Sequence, residues 1–227
     1  MKAMILAAGR GERMRPLTDN LPKPLLKVAG KMLIEYHLEK LKALQITEVV
    51  INHAWLGEKI EQALGNGFRY GLNITYSAEP EALETAGGIL NALPLLRGVN
   101  NEADAFIVIN GDIYCDYDFS KLPSSLSNMA HLVLVNNPQH HPEGDFTLTT
   151  SGEIEQEGQN KQTFSGIGVY HPDLFKGCQK GKLALAPILR KAMEQHQVTG
   201  ESYQGVWHDI GTPERLNELD LYLKDRC

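Results

Sequence analysis

Two segments near the N-terminus carry residues suited to binding phosphate, and the first is a glycine-bearing loop. Residues 6–18 read LAAGRGERMRPLT, an apolar run followed by a loop with three arginines. Glycines let backbone amides approach an anion closely, and guanidinium groups pair with phosphate oxygens. No Gly-Lys-Ser/Thr follows, and Met14 stands where a dinucleotide fingerprint needs its third glycine. The loop therefore predicts triphosphate binding without being a P-loop or a dinucleotide motif.

The second segment is a lysine between two prolines, in residues 21–26, LPKPLL. Proline restricts the backbone on both sides, which keeps the ammonium group of Lys23 in a defined place. Such a lysine suits a phosphate contact as a point charge. Taken alone, the segment is more typical of an ordinary turn.

Two carboxylates are candidate metal ligands. Asp112 follows an apolar run through Asn110 and Gly111, and a carboxylate at the end of a strand is a typical Mg²⁺ ligand. A turn-forming Asp after glycine is an equally good interpretation. Asp209 precedes a Gly-Thr-Pro segment, and by itself it is typical of a turn or helix start.

Short apolar runs and amphipathic segments alternate along the first part of the chain. The runs at 3–8, 48–52, 73–77, 105–110 and 131–135 predict strands, and the segments between them predict helices. Thr85 is a candidate cap for a helix that ends before Pro94. This order predicts right-handed βαβ units and a mostly parallel sheet with both faces covered. Ligands of such sheets bind beyond the carboxyl ends of the strands, where residues 9–15, Glu79, Glu84 and residues 110–112 lie.

After about residue 136 the pattern changes. Polar strands at 145–149, 153–156 and 163–170 predict a β-rich insertion over the sheet edge, with His140 and His141 as solvent-facing loop residues. Helical periodicity returns at 183–195 and 213–223, where Pro213 suits a first helical turn.

Composition limits the function classes. The 227 residues are 42% hydrophobic with a net charge of −6, which predicts one globular domain and no basic surface for nucleic acid or membrane. Cys115, Cys178 and Cys227 are odd in number and far apart, which fits core or surface thiols in a reducing cytoplasm. No signal-peptide pattern and no apolar run near the roughly 20 residues of a membrane span is present.

Taken together, the two N-terminal segments resemble the signature of the sugar nucleotidyltransferases, L-A-A-G-x-G-x-R-x-x-P-L-T followed by P-K-P. The resemblance continues through residues 85–88 (TAGG), 110–112 (NGD) and 207–215 (WHDIGTPER). Within the family it is strongest to the members that transfer UMP to N-acetylmuramic acid 1-phosphate in peptidoglycan recycling. It implies a Rossmann-like α/β fold with a mixed, mostly parallel sheet flanked by helices. One domain, 1–227, would have a nucleotide-binding part at about 1–135 and a sugar-binding part with a small β-rich insertion at about 136–227. The C-terminal left-handed β-helix of some relatives is not expected, because no hexapeptide repeat is present.

The resemblance also implies roles for individual residues. Arg13, Lys23 and Asp112 would be catalytic, and Asp112 with Asp209 would bind Mg²⁺. The nucleotide would contact a set drawn from four segments: Ala8, Gly9, Gly11, Arg13, Lys23, Glu79, Glu84 and Thr85. The sugar would contact Asn110, Gly144, Asp145, Ser165, Gly166 and Trp207.

Substrate choice depends on positions where the sequence departs from the family pattern. By the resemblance, Glu84 stands where the family usually has glycine, and Glu79 takes the place of a side-chain amide, a replacement common in some branches. Uracil, thymine and guanine therefore all stay open. The family's Glu-Lys-Pro motif is absent, and residues 155–158 read EQEG in its place. Losing that glutamate would admit a sugar with an extra anion, such as the lactyl carboxylate of N-acetylmuramic acid.

The expected pair is therefore UTP and N-acetylmuramic acid 1-phosphate. The alternatives are a mannose 1-phosphate guanylyltransferase and a glucose 1-phosphate thymidylyl- or uridylyltransferase. A catalytically dead nucleotide-binding regulator is an alternative of another class. The presence of all four residues expected to bind phosphate or metal argues against it: Arg13, Lys23, Asp112 and Asp209. The expected assembly is a monomer or small homo-oligomer.

Overall fold

The computed structural model describes residues 1–97 and 104–226, so Cys227 lies outside the described residues. The strands are β1 (Ala3–Leu6), β2 (Lys27–Val28), β3 (Lys31–Met32), β4 (Glu48–His53), β5 (Asn73–Ala78), β6 (Phe106–Asn110), β7 (Ile113–Cys115), β8 (Ala130–Val135), β9 (Thr147–Leu148), β10 (Ile154–Glu155), β11 (Thr163–Tyr170), β12 (Val198–Tyr203) and β13 (Trp207–Asp209). The helices are α1 (Leu33–Ala43), α2 (Gly57–Leu64), α3 (Glu84–Leu96), α4 (Leu185–Met193) and α5 (Pro213–Lys224). None of the helices in these ranges is long and apolar enough to cross a membrane.

One mixed sheet organises the chain, with the strand order β12-β8-β11-β6-β1-β4-β5. The pairs β6–β1, β1–β4, β4–β5 and β12–β8 are parallel, whereas β11 runs antiparallel to both of its neighbours. The predicted α/β class with a mixed, mostly parallel sheet is confirmed.

Helices cover the sheet on both faces. Successive side chains of a strand point to opposite faces, so each strand contributes to both cores. Ala3 and Ile5 pack into the core formed with α1 and α2, while Met4 packs into the core formed with α3 and α4. A third cluster joins the loop after β1 to α5 through Met14 and Leu219. The near-continuous apolar runs identified in the sequence are thus strands buried on both faces.

The segment 163–170 corrects the predicted insertion. It is not part of a separate β-rich unit but is β11, a strand inside the main sheet between β8 and β6. Its hydroxyls are accommodated locally, because Ser165 Oγ accepts from Ile167 N at 3.1 Å and Thr163 Oγ1 donates to Asn137 Oδ1 at 2.9 Å. Of the three strands predicted for the insertion, the two that form the short antiparallel pair β9–β10 stand outside the main sheet. The parts before and after residue 135 therefore share one sheet.

Three further features differ from the sequence-based expectation. Strand β12 was not predicted, because its residues are largely polar, as an edge strand tolerates. The short antiparallel pair β7–β13 was also not predicted. Thr85 is not the cap of α3, which begins at Glu84 with Leu83 as its N-cap, and Pro94 lies inside the helix at the cost of a backbone hydrogen bond. The predicted start of α5 at Pro213 is confirmed, with Thr212 as its cap.

Candidate functional site

The carboxyl ends of three parallel strands form the base of the site. Leu6 at the end of β1 lies in register with Asn52 of β4 and Asn110 of β6. The loops that follow open into a cleft of about 450 Å³. Nine residues predicted for catalysis or binding line it: Ala8, Gly9, Gly11, Arg13, Lys23, Glu84, Thr85, Asn110 and Asp112. The cleft therefore lies at the carboxyl edge of the sheet, which is the position expected for ligands of an open α/β sheet.

The loop after β1 is held in shape by its own hydrogen bonds. Gly11 has φ of 66°, and its carbonyl accepts from Thr18 Oγ1 at 2.7 Å. The Arg10 guanidinium donates to Thr18 O at 3.0 Å and stacks on the Trp55 ring at 3.8 Å. The loop therefore presents its amides and Arg13 to the cleft from a backbone that is already ordered.

Lys23 and Asp112 meet in the cleft. Nζ of Lys23 donates to Oδ2 of Asp112 at 2.7 Å, with side chains 9% and 48% exposed respectively. The ammonium group is thus nearly buried, while the carboxylate reaches solvent and can bind a further cation. Beneath them, burial lowers the pKa of His37 to about 4, a shift only partly offset by the backbone of Ile113 and the charge of Asp112.

Asp209 lies beside Asp112 through backbone pairing. Asp209 of β13 is in register with Ile113 of β7, and Ile210 N donates to Asp112 O at 2.8 Å. The Asp209 side chain is bound by the Arg215 guanidinium and lies 3.0 Å from His140 Nε2. Of the two aspartates that the sequence suggested as metal ligands, Asp112 thus lies in the turn before β7 and Asp209 on the paired strand β13, each with a basic partner.

A hydrogen-bonded chain runs behind the cleft from β1 to α3. Ala7 N donates to Asn52 Oδ1 at 2.9 Å, and Asn52 Nδ2 donates to Glu79 Oε1 at 2.7 Å. The other Glu79 oxygen accepts from Leu83 N at 3.0 Å. Glu79 is therefore buried behind Asn52, and Asn52 itself lines the cleft. Glu84, also in the cleft wall, has φ of 61°, a left-handed conformation that glycine adopts at lower cost.

Most of the residues predicted to bind the sugar form one cluster beside Asn110. Gly166 has φ of 83°, and a Cβ there would lie 2.6 Å from Asn110 Nδ2. The neighbouring Ser165 carbonyl accepts from Trp207 Nε1 at 2.9 Å. Asn110, Ser165, Gly166 and Trp207 are thus brought together although they lie far apart in the sequence.

The other two predicted sugar residues, Gly144 and Asp145, lie in the insertion. Gly144 lines a second cavity of about 830 Å³. Both Asp145 oxygens have partners, since Oδ2 accepts from Phe164 N at 2.8 Å and Oδ1 lies 3.1 Å from His141 Nε2. Asp145 therefore joins the insertion to β11.

Three residues of the site were not identified from sequence. Asn52 had a usable signal, because it ends a predicted strand as Asn110 does. Arg215 also had one, since it ends the family-like segment 207–215 that contains Asp209, but His140 had none, since its contact with Asp209 joins distant parts of the chain. The expectation that His140 and His141 are solvent-facing is only partly right: both are about 40% exposed, but each contacts an aspartate.

The family described as "Nucleotidyl transferase" matches residues 2–226. The chain is 56% identical over 229 residues to N-acetylmuramate alpha-1-phosphate uridylyltransferase of Neisseria meningitidis serogroup B, covering 96% of each chain. It is 30% identical to a mannose-1-phosphate guanyltransferase of Schizosaccharomyces pombe, covering 98% of this chain and 64% of that protein. A solved structure of a putative glucose-1-phosphate thymidylyltransferase from Bacillus anthracis superposes with a TM-score of 0.84 at 24% identity, covering 99% of this chain and 96% of that one. This last likeness shows the fold alone.

Proposed function

The chain belongs to the nucleotidyl transferase family, and we propose that it transfers UMP from UTP to N-acetylmuramic acid 1-phosphate, releasing pyrophosphate. The observation that carries the proposal is the 56% identity to the Neisseria uridylyltransferase over nearly the whole of both chains. The guanyltransferase alternative rests on 30% identity and is less well supported. A dead regulator is disfavoured because Arg13, Lys23 and Asp112 all line one cleft.

The reaction joins two polyanions. A phosphate oxygen of the sugar attacks the α-phosphorus of the triphosphate, an O–P bond forms, and the bond from the α-phosphorus to the bridging oxygen breaks. The electron pair leaves with pyrophosphate. Arg13 and Lys23 would offset the repulsion between the reactants and stabilise charge on the leaving oxygens.

The donor set at the cleft fits a magnesium ion. Mg²⁺ is usually held by one or two carboxylates, with phosphates and waters completing its shell. Asp112, in the turn before β7, and Asp209, on the paired strand β13, supply two carboxylates, and no group of three or more His, Cys, Asp or Glu that could hold a metal exists among residues 1–97 and 104–226. We propose that these two aspartates hold Mg²⁺, which when bound supplies positive charge to the reacting phosphates.

The two ends of the cleft would recognise the two substrates. On the nucleotide side, the backbone at Ala8 and Gly9 and the Glu84–Thr85 segment would contact the base, while buried Glu79 would act through Asn52. On the sugar side, the cluster around Asn110 and Trp207 would contact the hexose.

Residues 155–158 support the choice of an acidic sugar. Glu155 is exposed, and Glu157 is paired with Lys161 at 2.8 Å in the insertion. The Lys161 pairing also lowers the pKa of Glu157. Glu157, held by Lys161, would therefore oppose a lactyl carboxylate less than an unpaired pocket glutamate would.

We also propose that the reaction takes place in the cytoplasm. Cys115 and Cys178 are free thiols, as a reducing cytoplasm favours. We propose a monomer or small homo-oligomer, which light scattering after gel filtration would determine.

Substrate profiling tests the proposal. Purified protein is incubated with each of four nucleoside triphosphates and with the 1-phosphates of N-acetylmuramic acid, N-acetylglucosamine, glucose and mannose, and pyrophosphate is followed. The highest kcat/KM should belong to UTP with N-acetylmuramic acid 1-phosphate, and an Asp112→Ala preparation serves as the blank. Preference for a sugar without the lactyl group would overturn the sugar assignment but leave nucleotidyl transfer standing. No pyrophosphate with any pair would overturn both.

A further inference from the structure

Three charged or titratable side chains form a cluster beside the cleft. Arg215 of α5 binds Asp209 Oδ2 through Nη1, and His140 Nε2 lies 3.0 Å from both Asp209 Oδ1 and Arg215 Nη1. His140 comes from the connection between β8 and β9, whereas Arg215 comes from the first turn of α5. The cluster therefore ties the insertion to the helix next to a proposed metal ligand.

The Arg215 guanidinium has unused donors. A guanidinium carries five N–H donors, and within residues 1–97 and 104–226 all hydrogen bonds of this group are made through Nη1. Nη2 faces Gly211, where a Cβ would lie only 2.5 Å from it. Gly211 lines the cleft, so the guanidinium packs directly against a residue of the cleft wall. The side chain is 19% exposed and already ordered by its contacts.

The cleft itself offers little positive charge for a second anionic substrate, and the cluster at Arg215 can supply it. In the described part of the chain, the basic residues in the cleft wall are Arg13 and Lys23, and the charge of Lys23 is offset by Asp112. A sugar 1-phosphate brings a dianionic phosphate near neutral pH, and an acidic sugar adds a carboxylate. Arg215 lies behind Gly211, on the same side as Asp209 and Trp207, and its planar fork suits either anion.

We propose that Arg215, oriented by Asp209 and assisted by His140, binds an anionic group of the sugar substrate. The group is the 1-phosphate or the carboxylate of a lactyl substituent. This inference rests on the proposed function, since it requires a sugar phosphate in the cleft. It assigns to a residue of α5 a part in substrate selection that the sequence did not suggest.

Kinetics of Arg215→Met with two sugars test the proposal. We expect KM for N-acetylmuramic acid 1-phosphate to rise at least tenfold, with KM for UTP and the Mg²⁺ concentration for half-maximal rate within twofold of wild type. An equal rise for N-acetylglucosamine 1-phosphate would identify the 1-phosphate as the bound group, and a rise for the muramic sugar alone would identify the carboxylate. Calorimetric titration of the sugar 1-phosphate into protein with a non-hydrolysable UTP analogue should show the same loss without turnover.

Two further variants separate recognition from a structural role. Gly211→Ala keeps the charge but displaces the guanidinium, so it should raise the same KM, whereas Lys224→Met removes a charge at the other end of α5, where Lys224 pairs with Asp220, and should change nothing. An unchanged sugar KM in Arg215→Met, or a change confined to the Mg²⁺ requirement, would overturn the proposal by showing that Arg215 only holds Asp209. Wild-type protein that turns over no sugar 1-phosphate would instead overturn the proposed function, and this inference with it.

Discussion

The ammonium group of Lys23 donates a 2.7 Å hydrogen bond to Oδ2 of Asp112, which joins residues 89 positions apart. Lys23 is nearly buried, and Asp112 is about half exposed. The pair places the ammonium group proposed to bind phosphate directly against a proposed metal ligand. Substitutions at its two ends should therefore have different consequences.

Lys23→Met should impair catalysis more than folding. Losing one electrostatic donor to a transition state costs about 3 to 4 kcal/mol, so kcat should fall about 10² to 10³-fold. The melting temperature should barely change, because Asp112 stays solvated and a methionine fills the buried space. Lys27→Met, a change of an exposed lysine on β2, is the matched control. Undiminished kcat, or a variant that does not fold, would contradict the role assigned to Lys23.

Asp112→Ala should abolish turnover and also destabilise the fold. It leaves the ammonium group of Lys23 buried without its partner, so the free energy of unfolding should fall by about 1 to 3 kcal/mol. Urea denaturation measures this loss. Asp112→Asn retains a hydrogen-bond acceptor and should recover most of that stability but not the activity. Equal stability of the Ala and Asn variants would show that the ion pair contributes little.

The proposed magnesium site predicts that EDTA removes activity and that added Mg²⁺ restores it. Asp112→Ala and Asp209→Ala should each lose nearly all turnover, and calorimetry should show weaker Mg²⁺ binding in the presence of a non-hydrolysable UTP analogue. Full activity in EDTA would exclude the two-carboxylate site.

Glu84 gives a prediction in which backbone and side chain can be separated. A left-handed conformation costs a non-glycine residue about 1 to 2 kcal/mol, and a glycine at position 84 would avoid that cost. The greater flexibility of glycine in the unfolded chain offsets part of this stabilisation. Glu84→Gly should therefore leave the free energy of unfolding unchanged or slightly higher, whereas Glu84→Val should lower it. If the carboxylate takes part in base selection, Glu84→Gly should narrow the difference in kcat/KM between UTP and GTP. Unaltered selectivity would remove Glu84 from base recognition.

Buried His37 predicts a pH dependence of stability. Burial lowers its pKa from 6.5 to about 4 in the folded chain, so below pH 6.5 the unfolded chain takes up a proton that the folded chain does not. The free energy of unfolding should fall as the pH drops from 6.5 to 4, by about 3 kcal/mol from this group at 1.36 kcal/mol per pKa unit.

Urea denaturation at several pH values between 7 and 4 measures that loss. His37→Leu should flatten the dependence but not remove it, because burial also lowers the pKa of His131 and of His208. Identical pH profiles for the wild type and the variant would contradict this origin.

The amino-acid sequence by itself determined the strands and the residues at their ends. The runs at 48–52 and 105–110 became β4 and β6 with small changes of boundary, because strands buried on both faces must be apolar. Residues that follow such strands meet at one sheet edge, so Arg13 and Asp112 were predicted to converge there, and both line the cleft. Both inferences depend on local sequence patterns, which do not require knowing which distant segments of the chain come into contact.

Only the tertiary structure decided which distant segments pair. β11 lies inside the main sheet although its polar residues predicted an insertion, because Ser165 and Thr163 find hydrogen-bond partners there. Asp209 reaches Asp112 through the β7–β13 pairing, and Arg215 and His140 meet at Asp209 from separate parts of the chain. Such contacts leave no periodic signal in the sequence, because the cost of burying a polar group depends on the partner that folding brings to it.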